Sequence, residues 1–228
     1  PAFATDFFSF NCRPSLADGT ANPFADAAVR RAFASAVDRE TIVRHVTRLN
    51  EPVATALVPD GSIPGYDPPT GLELDVDRAR RELQSAGWSD RDGDGLIENE
   101  EGDPFPVTSL LYTTNTPRFK RMAIALREQW ESALGVKIEL VGKESKFYRN
   151  DLREGDFMIA RGTWYGDFGD PTTFLDLCRT EDGNNTRKFS DPGIDADLDA
   201  ASMERNPARR MELLEDIEHR LFNEHLPM

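Results

Sequence analysis

Within ten residues of one another the chain places Arg161, Trp164, Tyr165, Asp167, Phe168 and Asp170, inside the stretch FMIARGTWYGDFGDPTTFL that runs from Phe157 to Leu175. A carboxylate between aromatic side chains suits a ligand that carries a cation. The rings supply low-dielectric walls and π-faces, and the carboxylate supplies the counter-charge. The opposing reading is a plain loop whose aromatics belong to the core and whose aspartates cap turns. Residue types alone leave both open.

A second stretch, Asp90 to Glu101 (DRDGDGLIENEE), has the spacing of a twelve-residue calcium loop. A hard dication needs six or seven oxygens around it, and Asp90, Asp92, Asp94, the Leu96 carbonyl, Glu98 and a bidentate Glu101 fall at the ligating positions, with Gly95 at the tight turn. Gly102-Asp103-Pro104 forbids a helix after the loop, so the expectation is a helix–loop–strand site that is structural rather than sensory. The alternative is a solvated acidic turn. No cofactor is required by the sequence; calcium is the one it suggests.

Catalytic patterns find little support. There is no GxSxG, HExxH, GxGxxG or phosphate loop, and His45, His219 and His225 are not spaced as a metal site. Asp167 with Asp170 is weak grounds for acid–base work in so acidic a chain. Capture of a ligand without chemical change is the expectation.

The element that must deliver the first constellation is a strand. Phe157, Met158, Ile159 and Ala160 form a short apolar run bounded by Gly155-Asp156 and Gly162, and the loop is expected to begin at Arg161. Upstream, Pro106 to Tyr112 and Val136 to Leu140 are expected strands. Between them Arg118 to Leu134 has Phe119, Met122, Leu126, Trp130 and Ala133 on one face, ended by Gly135. Strand, helix, strand at this spacing is a βαβ unit with parallel pairing, and a further helix near Ser145 to Leu152 leads into the motif strand. Ligands of open α/β sheets lie outside the carboxyl ends of strands, where Arg161 to Asp170 would fall.

Elsewhere, Phe3 to Asn11 is an aromatic-rich strand, and Val29 to Val37 has helical spacing. Asp38 caps a second helix through Val46, Asp75 to Ser85 is a short helix, and Asn206 to Phe222 is the last one. Residues 51–71, rich in proline and glycine, form a structured loop that buries Val53, Leu57, Val58, Ile63 and Tyr66. Arg30, Arg31 and Arg39 are expected on a solvated or ion-paired face.

Composition sets outer bounds. A chain of 228 residues can bury a large core. Its net charge of −14 disfavours nucleic acid and anionic membrane surfaces as partners, and no apolar run reaches the length of a membrane span. Cys12 and Cys178 form no CxxC; they could pair in an oxidising compartment or stay as two small buried thiols.

The stretch Trp164-Tyr165-Gly166-Asp167-Phe168-Gly169-Asp170-Pro171, followed by Phe174-Leu175, resembles the W-x-[AG]-D-[YFN]-x-[DE]-P-x-x-F-L segment of family 5 extracellular solute-binding proteins, the oligopeptide and dipeptide binders of ABC importers. Other matches follow in order: Asn22-Pro23-Phe24, Val29 to Phe33, Ala36 to Arg39, Ile63-Pro64-Gly65-Tyr66, Ala86-Gly87-Trp88, Leu134-Gly135-Val136, and Asn184-Asn185 before Phe189 to Pro192.

The resemblance covers nearly the whole chain and implies an α/β fold: one lobe, residues 1–228, of the type II periplasmic-binding-protein kind, with a mixed β-sheet flanked by helices and a first lobe lying outside this chain. It implies that Asp167 holds a ligand's α-ammonium, that Trp164 and Tyr165 wall the first side-chain pocket, that Arg161 stands near the ligand, and that Phe168 belongs to the same site. The implied partners are a peptide or related small solute and the membrane subunits of an ABC transporter, with no nucleic acid. The implied setting is periplasmic or extracytoplasmic, with a lipoprotein anchor allowed, and the lobe itself is expected to be monomeric. A calcium-stabilised interaction or adhesion module is the alternative. It would need no pocket at Trp164 and Asp167.

Overall fold

The computed structural model describes residues 2–228. Four strands, β1 (Ala4–Phe10), β2 (Thr108–Thr113), β3 (Ile138–Lys143) and β4 (Ile159–Tyr165), form one mixed sheet in the order β1-β4-β2-β3. β2 and β3 pair in parallel from Thr108↔Ile138 to Thr113↔Lys143, joined by the helix expected between them. β1 runs antiparallel to β4 along its whole length, from Ala4↔Tyr165 to Phe10↔Ile159. β4 meets β2 only at Leu110↔Ile159 and Leu111↔Ala160, after which the two parallel strands separate.

Eight α-helical segments surround the sheet: α1 (Ala27–Ser35), α2 (Arg39–Thr41), α3 (Val76–Ser85), α4 (Pro117–Leu134), α5 (Ser145–Glu154), α6 (Thr172–Leu175), α7 (Pro192–Met203) and α8 (Pro207–Arg220). Their ends follow local chemistry. Asp26, Asp75, Asp191 and Asn206 cap α1, α3, α7 and α8 through their side chains. α4 stops at Gly135, which takes a left-handed φ of 68°. Asp38 accepts from the Thr41 amide as expected, but the helix it starts is a single turn that widens into a π-helix over Ile42–Thr47.

Alternation along β1 sends its aromatics to two cores. Phe8 and Phe10 join Phe24, Phe33, Leu110, Leu126 and Trp130, whereas Phe7 packs towards Leu57, Phe174, Leu177, Ile194 and Leu214. The second core is closed by the 51–71 loop. Glu218 of α8, fully buried, accepts from the Leu57 and Val58 amides at 2.8 Å each and from the Tyr66 hydroxyl at 2.5 Å.

Four expectations need correction. α7 was not expected at all. On α4 the buried stripe is Met122, Ala123, Leu126, Trp130 and Leu134, with Phe119 and Ala133 only partly covered. β4 extends through Tyr165, so the loop opens at Gly166, because β1 offers it a pairing partner that far. Gly162 is a close-approach glycine within the strand: a Cβ there would lie 2.3 Å from the Phe7 ring. Arg30 is buried rather than solvated. Its guanidinium donates to the carbonyls of Phe24, Ala25, His225 and Leu226 at 2.6 to 3.0 Å, with no carboxylate bonded to it among the described residues. Arg31 does lie on an ion-paired face, through Glu82, and Arg39 donates to the Leu72 carbonyl.

Candidate functional site

Where β4 parts from β2 a cavity of about 580 Å³ opens, within the usual range for small-molecule sites. Its walls include the strand residues Arg161 to Tyr165, the end of β2 with Asn115 and Thr116, Arg118 and Phe119 of α4, and Tyr148 and Arg149 of α5. Asn184, Thr186 and Arg187 close it from the loop before α7. It therefore lies at the carboxyl ends of two diverging parallel strands.

Register explains which side chains meet. Asp6 on β1 stands opposite Thr163, and Arg161 lies one step further on the same face of β4. The Asp6 carboxylate accepts from Arg161, Arg118 and the Thr163 hydroxyl. The Arg161 guanidinium also stacks on Phe119, 3.5 Å from the ring centroid, and its carbonyl accepts from the Tyr148 hydroxyl. Burial lowers the Arg161 pKa from its ordinary value, against the opposing effect of Asp6. Burial also pushes the Tyr148 phenol up to about 12.

The expected site residues separate into two groups. Arg161, Trp164 and Tyr165 line the cavity; Asp167 and Phe168 do not. Trp164 combines the two roles set against each other in the sequence, since it lines the cavity and packs against the second core. Tyr165 and Phe168 are 65% and 53% exposed.

Beyond Tyr165 the loop is held by its backbone: Gly166 N–H donates to the Phe3 carbonyl, and Asp167 N–H to Thr173 Oγ1, at 2.9 Å each. The Asp167 side chain is exposed, and among the described residues nothing donates to its carboxylate. Asp170 is the reverse case, bonded to Arg210, the Thr172 hydroxyl and the Thr172 amide.

Asp6, Arg118, Tyr148 and Arg187 were not anticipated. Arg187 follows the quoted Asn184-Asn185 pair by two residues, and Asp6 is the lone carboxylate in an aromatic strand. Those two signals could have found them.

In the acidic loop, carboxylate oxygens of Asp90, Asp92 and Glu98 lie within 4.8 Å of one another. Asp94 and Glu101 stand outside that group. Asp94 accepts from the Leu96 amide, and Glu101 falls in the next turn, which Asn99 closes. For Glu101 the reason is the path after Glu98, whose backbone bridges to Ser89 and Pro104. Asp90 accepts from the Gly93 and Gly95 amides and Asp92 from the Asp94 amide, so these carboxylates also shape the turn. Cys12 and Cys178 are both free thiols, and burial pushes the Cys178 thiol up to about 11.

A mixed sheet whose parallel strands diverge over a cavity of this size is the build of a solute-binding lobe. The chain belongs to the bacterial extracellular solute-binding proteins, family 5, whose Middle model matches residues 1–186.

It is 31% identical over 210 residues to the oligopeptide-binding protein OppA of Bacillus subtilis, covering 91% of this chain and 37% of that protein. It is 29% identical over 216 residues to the periplasmic murein peptide-binding protein MppA of Escherichia coli, covering 92% and 36%. The solved Escherichia coli murein tripeptide binding protein MppA superposes with a TM-score of 0.84 at 27% identity, over 100% of this chain and 42% of that one. Burkholderia pseudomallei OppA gives 0.83 at 27% identity, over 100% and 42%. The chain thus spans well under half the length of these relatives. Among the described residues no helix is long and apolar enough to cross a membrane.

Proposed function

We propose that this chain is the ligand-holding lobe of an extracytoplasmic solute-binding protein that serves the membrane subunits of an ABC importer. It captures peptides or a related small solute and releases them unchanged. The observation that carries this reading is Asp167, an exposed carboxylate with no partner among the described residues, two positions past a strand whose side chains line the cavity. A ligand α-ammonium would supply that partner, in a charge-assisted bond of ~1.5–3 kcal/mol. Exposed Tyr165 and Phe168 flank Asp167 and would wall the ammonium end.

Closure of a second lobe over this face would exclude water and strengthen the bond. The names of the relatives, oligopeptide- and murein peptide-binding, support a peptide as the solute. The cavity beside Trp164 argues against a module built only for adhesion.

For the acidic loop the reading is a weak calcium site with Asp90, Asp92 and Glu98 as its side-chain ligands, smaller than the six-ligand set the spacing suggests.

Native mass spectrometry of the full-length protein purified from its own cells tests the main reading. The expected result is a co-purifying mass matching a peptide or another primary amine. A bound solute without an amine would overturn the role of Asp167.

A further inference from the structure

The face of β1 that sends Phe8 and Phe10 into the first core begins with a carboxylate, Asp6. A charge at the margin of an apolar core is costly unless it is paired. Asp6 is paired three times, with Arg118, Arg161 and the Thr163 hydroxyl. Its side chain nevertheless keeps 22% of its surface exposed and lines the cavity. The carboxylate therefore stands where a solute reaches it.

Four arginines line the cavity, and none offers a solute's acid a dry, unpaired guanidinium. Arg118 and Arg161 are committed to Asp6, and Arg161 also lies on the Phe119 ring. Arg187 is 2% exposed and turned to the Leu177 carbonyl and Cys178 Sγ. Arg149 is exposed, where water and salt screen it. Neutral groups are the ones left open. Asn115 and Asn184, both exposed, line the same cavity with carboxamides that can donate and accept. A second carboxylate brought beside Asp6 meets like charge and donors already taken, whereas a carboxamide meets neither.

We infer that Asp6 sets the specificity of this cavity. Its carboxylate holds, from within the chain, the position that a solute's acid would take, so the cavity accepts a neutral polar side chain such as a carboxamide and disfavours an acidic one. The inference rests on the proposed capture function, and it adds the chemical class of solute that function would favour.

Calorimetry on the full-length protein tests it with Ala-Gln-Ala against Ala-Glu-Ala, which differ only in amide and acid. Wild type should bind the amide at least as tightly as the acid. Asp6→Asn keeps the shape, removes the charge and should raise the acid-to-amide affinity ratio at least about tenfold, the size of one charge-assisted bond. Asp6→Glu should return it towards the wild-type ratio. Loss of a merely structural ion pair would weaken both peptides alike and leave the ratio in place. A wild type that prefers the acid, or a ratio unmoved in Asp6→Asn, overturns the inference. If Asp6→Asn does not fold, Arg118→Gln decides beside wild type: it leaves Asp6 with one guanidinium fewer, and the ratio should move further towards the amide. An unmoved ratio there overturns the inference too.

A second measurement needs no peptide. Acetate should fill the space vacated in Asp6→Ala and raise its melting temperature by about 2 °C or more, with no such effect on wild type and none from acetamide. The two readings thus fail separately. No tripeptide bound, with the acetate effect present, removes the peptide and keeps the role of Asp6. Tripeptides bound with the ratio unmoved and no acetate effect keep peptide capture and remove the role of Asp6.

Discussion

Arg210 grips Asp170 with both arms, Nη1 to Oδ2 at 2.6 Å and Nη2 to Oδ1 at 3.0 Å, three residues from an aspartate whose carboxylate accepts nothing from the described residues. The two carboxylates of one motif thereby differ: one is built into the architecture, and the other has no hydrogen-bond donor among the described residues. Asp170 fastens the loop to α8 and starts α6 through Thr172. Asp167 is left outward.

Alanine at each position should separate these roles. Asp170→Ala is expected to cost about 1–2 kcal/mol of stability, a charge-assisted pair discounted for its partial exposure. Burial raises the Asp170 pKa, but the bonds from Arg210 and Thr172 outweigh it and hold the group below its ordinary value of 3.8. Its contribution is therefore complete above that pH and is lost as the pH falls through the folded value. Asp167→Ala should leave the melting temperature unchanged and abolish solute binding by the full-length protein. Thermal melts beside calorimetry check both, and unchanged affinity in Asp167→Ala would refute its assignment.

Glu218 ties the 51–71 loop to α8 by accepting three hydrogen bonds in a dry setting. Glu218→Ala strands two amides and a phenol, and a loss of about 3 kcal/mol or more is expected in urea unfolding. Burial raises the folded pKa of Glu218 above the ordinary 4.5, against the opposing bonds from Tyr66, Val58 and Leu57. A raised carboxyl pKa stabilises the fold below the unfolded value, and that contribution is lost as the pH rises through the folded value. The stability difference between wild type and Glu218→Gln should therefore shift against wild type as the pH is raised from 4.5.

Gly162 is needed for the approach of the Phe7 ring, not for a turn. Gly162→Ala would force that ring or the β1–β4 pairing aside, with an expected cost of about 1–3 kcal/mol. The second-core contacts of Phe7 and Trp164 should loosen together, and the difference in tryptophan emission between wild type and variant reports it, because Trp88 and Trp130 lie in the first core.

For the acidic loop, saturating calcium should raise the melting temperature by a few degrees and a chelator should reverse it. Asp92→Asn should weaken that response and Glu101→Gln should leave it intact, because only the former belongs to the grouped oxygens. A melt indifferent to calcium would make the loop a turn held by its own aspartate–amide bonds.

Local signals were strong where one segment carries its own answer. The periodicity of α4, its stop at Gly135 and the cap at Asp75 are each written within a few residues. α7 was hidden because only Ile194, Leu198 and Ala201 turn inward, one per helical turn, among aspartates whose partners, Thr180, Arg220 and Arg179, lie elsewhere in the chain. β4 was cut short because a glycine at position 162 has the same letter whether it turns or yields to a ring. The cavity is a matter of register and crossover. Asp6, Arg118, Tyr148, Arg161 and Arg187 come from five separate segments, and no spacing along the chain announces that they meet.

β4 is zipped to β1 over seven paired positions and to β2 over two. Force applied to the loop beyond Tyr165 is thus shared with the β1 ribbon and reaches the rest of the sheet through a narrow pivot at Leu110 and Leu111. A solute pulling on that loop would swing a two-stranded lever, carrying its motion back towards the beginning of the chain and leaving the β2–β3 half at rest.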